Sequence, residues 1–199
     1  MTSLATTINM KPLVTPAPMQ TFVADEAAAF AGSSHLPNQT SLARQILHNL
    51  QFQHDWSDLE LHTQSPVTNA PLPRPLLSGL PPHRLYVHPD EQVELLKKAD
   101  RERKARAAGE LAGLDVNAAP EREWILPTRL NEKWTLRRLA AVFDGISMVP
   151  PPARSSGTEQ NTASNPFRTT KRVLLGTVDT DSTVVYYIIH DGVVKPRQN

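Results

Sequence analysis

Cysteine is absent from this 199-residue sequence, no hydrophobic run is long, and neither sign of charge is in clear excess. Without cysteine, disulfide bonds, thiolate metal sites and cysteine nucleophiles are excluded. The longest unbroken apolar run, residues 184–189, is far too short to cross a bilayer, so we expect no membrane insertion. Residues 1–20 lack a basic stretch followed by an apolar run, so we expect no secretory signal.

The balance of charge bears on the partners of the protein. The 21 Lys and Arg residues nearly cancel the 20 Asp and Glu residues, which leaves a net charge of +1. A protein that holds RNA alone by neutralising phosphates usually carries a stronger basic excess. The histidines do not follow a metal-ligand spacing, so we expect no metal and no cofactor.

Proline, in contrast, is abundant, and 18 prolines are too many for a fully ordered chain of this length. Residues 1–38 mix Thr, Ala, Pro and Ser without a period, which predicts a disordered N-terminal arm. Residues 39–199 are predicted to form one domain. We expect two interruptions in it, a Pro-rich loop at 63–82 and a disordered insert at 150–170.

Periodicity within this domain predicts alternating helices and strands, and so a mixed α/β (α+β) fold with helices flanking a sheet. The first helix begins at Thr40 or Ser41, the second starts at Pro89 and ends near Ala112, and the third spans 132–146 with Asn131 as its cap. The predicted strands cover residues 56–61, 84–88, 123–130, 172–178 and 183–190.

The last predicted strand is apolar on both faces. Its side chains alternate between the two faces of the sheet, with Val184, Tyr186 and Ile188 on one and Val185, Tyr187 and Ile189 on the other. A strand of this kind has to be covered on both sides. In a domain this small, another protein is a candidate for one of the two covers.

The end of the chain carries a distinctive pattern. Residues 175–196 read LGTVDTDSTVVYYIIHDGVVKP, in which an acid-x-acid turn precedes Ser-Thr, two β-branched residues, Tyr-Tyr and Asp-Gly. This segment closely resembles the end of the smallest, non-catalytic subunits of the eukaryotic tRNA-splicing endonuclease, numbered fifteen in the Sen series. The upstream order of elements around residues 125–128 is also similar, so the resemblance covers roughly residues 40–199, and the Pro-rich insertions resemble the fungal type.

The resemblance implies an endonuclease-like fold and a structural subunit of a heterotetramer that excises introns from precursor tRNA. It implies that residues 184–189 pair with a catalytic subunit and that Asp179 and Asp181 dock in a basic pocket of a neighbouring subunit. Thr180 between these aspartates leaves the turn less acidic than other versions. Ordinary turn chemistry is the other interpretation of both residues. The implied location is the nucleus, with the cytosolic face of the mitochondrial outer membrane as the alternative.

Several alternatives stay open. Tyr86 and His88, with Lys97 or Lys98, are the residue types of metal-independent RNA cleavage, but they lie outside the catalytic motif of the family and packing roles are favoured. An autonomous RNA-binding module is the second alternative, since a basic run could contact phosphates; interleaved acids favour a solvated helix face. This run comprises Arg101, Arg103, Lys104 and Arg106, and Arg168, Lys171 and Arg172 are a similar candidate. An isolated chain could also pair with its own copy through the last strand.

Overall fold

Five strands form one mixed sheet in the computed structural model, which describes residues 36–105, 118–153 and 165–192. The strand order is β1-β2-β3-β4-β5, with β3 and β4 parallel and the other neighbours antiparallel. The predicted mixed α/β fold with flanking helices is confirmed. The helices are α1 (Pro37–Gln53), α2 (Pro89–Ala105) and α3 (Leu136–Gly145), and the strands are β1 (Ser57–Gln64), β2 (Pro71–Leu80), β3 (Glu123–Arg129), β4 (Arg172–Val178) and β5 (Val184–His190). No helix in these ranges is long and apolar enough to cross a membrane.

Helix α1 packs on one face of the sheet. Leu42, Ile46 and Leu50 recur at helical spacing, and all three are buried against the strands, as their spacing predicts. Gly176 of β4 allows this close approach, because a Cβ at that position would lie 3.1 Å from Cδ1 of Ile46. The helix begins at Pro37, a few residues before the predicted cap, with proline in its first turn. Residues 1–35 of the predicted N-terminal arm lie outside the described residues.

Helix α3 covers the opposite face. Val142 and Phe143 pack there with Trp124 of β3, whereas Leu136, at the start of the helix, is 87% exposed. The cap is Thr135, whose Oγ1 accepts a hydrogen bond from the N–H of Arg138 over 3.3 Å. The predicted cap at Asn131 is therefore wrong.

Strand β2 corrects the predicted Pro-rich loop at 63–82. Its prolines 71, 73 and 75 precede the residues that pair with β3, since that pairing begins at Leu77. Proline has no backbone N–H to donate to a ladder, but its fixed φ is compatible with an extended chain. The prolines therefore occupy the part of β2 where β3 requires no donor, and the second half of the strand lies buried in the middle of the sheet.

Two further segments differ from their predicted structure. Residues 84–88 form no strand. Side-chain contacts hold this segment instead, since Arg84 pairs with Glu91 and the ring of Tyr86 packs against Arg172. The predicted disordered insert at 150–170 is corrected at its end, where Asn165 and Arg168 hydrogen-bond to the acids of residues 121–123. Residues 154–164 of the insert, and residues 106–112 of the predicted second helix, lie outside the described residues.

Candidate partner-docking site

Strand β5 lies at one edge of the sheet. It pairs with β4 from Val178 opposite Val184 to Arg172 opposite His190. Within the described residues no strand pairs with its other side. An edge of this kind presents a row of backbone donors and acceptors that another strand can extend. The predicted hairpin is confirmed, and among the described residues its second strand has a neighbour on one side only.

One face of β5 belongs to the core. Val184 and Tyr186 pack against the core residues around Leu42, Ile46 and Leu50, which we call the α1 cluster. The Tyr186 hydroxyl donates to Oδ1 of Asn49 over 2.6 Å. Burial raises the pKa of Tyr186. The ring also contacts His54 edge-on, at a centroid distance of 5.3 Å. The first two residues of this face are therefore committed to the fold of the chain itself.

Other side chains of β5 remain available. Val185 and Tyr187, on the α3 side of the sheet, are 41% and 55% exposed, and Ile188 on the α1 side is 37% exposed. Ile189 is half-buried against the core residues around Trp124, Val142 and Phe143, which we call the α3 cluster. The structure thus divides the six predicted docking residues into three that serve the core and three that are exposed at the edge of the sheet.

The acidic turn between β4 and β5, residues 179–182, is held by its own aspartates. Asp179 Oδ1 accepts the N–H of Thr180 over 2.6 Å, and Asp181 Oδ1 accepts the N–H of Thr183 over 2.8 Å. The hydrogen bonds from Thr183 hold the pKa of Asp181 below its usual value. Ser182 has a φ of +71°, which closes the turn. Turn chemistry thus engages one oxygen of each carboxylate and leaves Asp181 exposed.

A buried ion cluster holds the other end of the β4–β5 hairpin. Glu123 at the start of β3 receives hydrogen bonds from Arg172 Nε at 3.0 Å and from Arg168 Nη2 at 3.1 Å, and their three side chains are almost fully buried. Glu121 also accepts from Arg172 over 2.6 Å, and it pairs with Arg84. Arg168 and Arg172 are therefore structural, which argues against their suggested role in RNA binding.

One sequence signal for this buried ion cluster lies on β4. Arg172 lies two residues before Leu174 on β4, and side chains two residues apart on a strand point to the same face. Both therefore face the α1 side of the sheet, where Leu174 belongs to the core. A charge in such a position requires a buried partner. The partner residues come from distant segments, and no local pattern identifies them.

The residues considered for RNA cleavage contact other side chains of the described residues and not one another. The ring of Tyr86 contacts His190 at 4.8 Å and lies 5.5 Å from the Arg172 guanidinium. His88 stacks on Phe167 at 6.4 Å. In the described part of the chain, no contact joins Tyr86 or His88 to the two lysines, which form ion pairs with acids of their own helix.

The basic run on α2 is largely balanced by acids of the same helix. Asp100 pairs with Arg103 at 3.0 Å and with Lys104 at 2.6 Å. Arg101 is exposed, and Arg106 lies outside the described residues. This arrangement is typical of a solvated helix face. Among the described residues, no group of three or more His, Asp and Glu side chains is placed to hold a metal ion.

Comparison with known proteins bears on these surfaces. Residues 45–199 match the Sen15 protein family. A Neurospora crassa protein named probable tRNA-splicing endonuclease subunit tsp-1 is 43% identical over 162 residues, which cover 80% of this chain and 66% of that protein. A Schizosaccharomyces pombe protein named probable tRNA-splicing endonuclease subunit sen15 is 33% identical over 91 residues, which cover 45% of this chain and 59% of that protein. The chain thus spans about two thirds or less of each relative's length in these matches, and the resemblance drawn from residues 175–196 is confirmed.

Proposed function

This chain belongs to the Sen15 protein family, and we propose that it is a non-catalytic, structural subunit of a heterotetrameric tRNA-splicing endonuclease. In this role it stabilises a catalytic partner that excises introns from precursor tRNA. The observation that carries the proposal is the edge strand β5, which is unpaired on one side within the described residues and exposes Val185, Tyr187 and Ile188. Apolar side chains along an open strand edge favour addition of a partner strand.

The partner we propose for this edge is a catalytic subunit. The acidic turn at the start of β5 is a second contact, because Asp181 is exposed and ionised and fits a basic pocket on another subunit of the tetramer. The edge of β5 also fits a second copy of the chain, so a homodimer is an alternative state of the isolated chain. Sedimentation with and without the catalytic subunit distinguishes the two pairings.

A non-catalytic role is supported by the positions of the candidate groups. Tyr86 packs on Arg172 and His190, and the lysines considered with it are paired on α2. A general base and a charge-stabilising lysine have to converge on one phosphate. The contacts of these side chains hold them in separate structural roles.

Reconstitution of the complex tests this proposal. We expect the purified chain alone to leave precursor tRNA intact, and the yield of soluble catalytic subunit to fall when the chain is omitted from co-expression. A complex with Tyr86→Phe, which keeps the ring on Arg172, should cleave at the wild-type rate. Cleavage by the chain alone that is lost in Tyr86→Phe would instead identify it as a ribonuclease.

We also propose that the complex acts in the nucleus, with the cytosolic face of the mitochondrial outer membrane as the alternative. Fluorescence microscopy of the tagged full-length chain, with markers for both compartments, distinguishes the two locations.

A further inference from the structure

The junction between β3 and α3 concentrates positive charge. Residues 129–138, which we call the basic segment, contain four basic side chains and one acidic side chain, whereas the whole chain has a net charge of +1. Charge gathered in one place raises the local potential and attracts partners of opposite sign. The basic residues are Arg129, Lys133, Arg137 and Arg138.

The acid of the basic segment is already neutralised. Glu132 Oε1 accepts hydrogen bonds from Arg74 Nη1 over 2.8 Å and from Arg138 Nη2 over 2.7 Å. Burial acts to raise the pKa of Glu132, but these hydrogen bonds outweigh it and hold the pKa below its usual value. In the described part of the chain, Glu132 forms no ion pair with the other three basic residues of the segment.

Those three residues, Arg129, Lys133 and Arg137, are all exposed. Across residues 36–105, 118–153 and 165–192, none of them has an ion-pair partner. The basic run on α2 differs, because two of its members share Asp100 of their own helix. The basic segment therefore offers charge that is free to bind an anion, and the run on α2 offers much less.

The basic segment has a fixed backbone. The N–H of Glu132 donates to the carbonyl of Arg129 over 3.0 Å, and Arg138 Nη1 donates to the carbonyl of Lys133 over 2.7 Å. The Arg138 guanidinium lies 4.6 Å from the ring centroid of Trp134. Trp134 itself packs against the core cluster on the α3 side of the sheet and so holds the segment in place. Groups carried on an ordered support lose less conformational entropy when they bind.

The basic segment borders the proposed subunit contact. Strands β3 and β4 are parallel with Arg129 opposite Val178, and the N–H of Leu130 donates to the Val178 carbonyl over 3.0 Å. The next residue, Asp179, opens the acidic turn. A subunit docked on the acidic turn therefore lies beside the basic segment.

We propose that Arg129, Lys133 and Arg137 bind the phosphodiester backbone of RNA. This inference rests on the proposed function, because it takes precursor tRNA as the polyanion. Long, exposed cations without partners match phosphates spaced along a nucleic acid and position it without reading its sequence. Protein interfaces, in contrast, centre on anchors that are buried in pockets, whereas these three side chains are exposed.

Salt-dependent binding of the full-length chain to a precursor tRNA transcript tests the inference. The test variant is Arg129→Gln/Lys133→Gln/Arg137→Gln, and the control Arg101→Gln/Arg103→Gln/Lys104→Gln removes the same charge from α2. Fluorescence anisotropy at salt concentrations from about 50 to about 200 mM gives the affinity and the slope of log K against log salt. Four of the six residues form no ion pair within the described part of the chain, and Arg103 and Lys104 pair only with Asp100 of their own helix. Circular dichroism should therefore show that both variants are folded.

We expect the test variant to lower the affinity at least about tenfold and to flatten the slope of log K against log salt by about 2 to 3, since each phosphate contact contributes about 0.7 to 0.9. The control should stay within about twofold of wild type. Equal losses in both variants, or no binding by wild type at the lowest salt, overturn the inference. If the test variant keeps RNA binding but no longer co-purifies with the catalytic subunit, the surface binds acidic protein instead. Loss of RNA binding with intact co-purification separates this inference from the subunit assignment.

Discussion

The hydroxyl of Tyr186 donates to Oδ1 of Asn49 over 2.6 Å, which joins the edge strand β5 to helix α1 across 137 residues of sequence. The contact fixes which face of β5 points inward. Because neighbouring side chains of a strand alternate, it also fixes Tyr187 on the opposite side, where more than half of its surface is exposed. The surface offered to a partner is thus defined by a bond inside the chain.

Tyr186→Phe should destabilise the fold. The substitution keeps the ring but removes the donor to Oδ1 of Asn49, and a lost hydrogen bond of this kind costs about 1 kcal/mol. The free energy of unfolding in urea measures the effect. Tyr187→Phe is the matched control, since that side chain is exposed, and it should change stability by less than about 0.5 kcal/mol. Equal effects of the two variants would show that the Asn49 contact contributes nothing.

Glu123→Gln should be the most destabilising change in the buried ion cluster. It leaves Arg168 and Arg172 with Glu121 as their remaining acidic partner, in a site where the side chains of residues 123, 168 and 172 are nearly inaccessible, and removal of one partner there costs about 3 kcal/mol. Urea unfolding again provides the measurement. The control is Glu94→Gln, which breaks an exposed pair with Lys97 and should cost less than about 0.5 kcal/mol. A Glu123→Gln protein as stable as this control would contradict the structural role of the cluster.

Stability should decrease as the pH falls from about 7 toward 5, in part because of His190. Burial lowers the pKa of His190 from its ordinary 6.5, and the positive charges of Arg172 and Arg168 lower it further. The unfolded chain therefore takes up a proton at a pH where the folded chain does not, so protonation favours unfolding until the folded pKa is reached.

His190→Gln tests this pH dependence. We expect the variant to have a shallower slope of unfolding free energy against pH in this window, and His83→Gln, at an exposed position, to keep the wild-type slope. Identical slopes for wild type and His190→Gln would rule out a contribution from this histidine.

The acidic turn allows its two roles to be separated. In Asp179→Asn/Asp181→Asn, the amide oxygens still accept the hydrogen bonds from Thr180 and Thr183, so stability should change by less than about 0.5 kcal/mol. The charge is lost, so assembly of the tetramer should become weaker and less sensitive to salt. Size-exclusion chromatography across salt concentrations measures this. Assembly equal to wild type at every salt concentration would leave the aspartates with turn chemistry alone.

Local patterns predicted the β4–β5 hairpin and the α1 core well. Alternating apolar residues on either side of an acidic turn define a hairpin without help from the rest of the chain. Leu42, Ile46 and Leu50 define the buried stripe of a helix in the same way. The strand β5 and the acidic turn of the candidate site were therefore predictable from the sequence.

Features that depend on distant residues were not predictable in this way. The prolines of β2 indicate a loop until it is known that β3 begins to pair only at Leu77. The cap of α3 is Thr135 instead of Asn131, and Glu132, which lies between them, is held by Arg74 of β2. In each case a tertiary contact overrides a local preference, and the partner cannot be identified from local sequence.

Co-purification with the catalytic subunit tests the central claim most directly. Wild type should be compared with Val185→Lys/Tyr187→Lys, which changes only exposed side chains of β5, and with the control Phe52→Lys/Val67→Lys, which changes an exposed aromatic and an exposed aliphatic residue elsewhere. We predict that wild type and control co-purify with the catalytic subunit at a one-to-one ratio and that the β5 variant, although folded, does not. Co-purification of the β5 variant at the wild-type ratio would contradict the assignment of this strand as the docking surface.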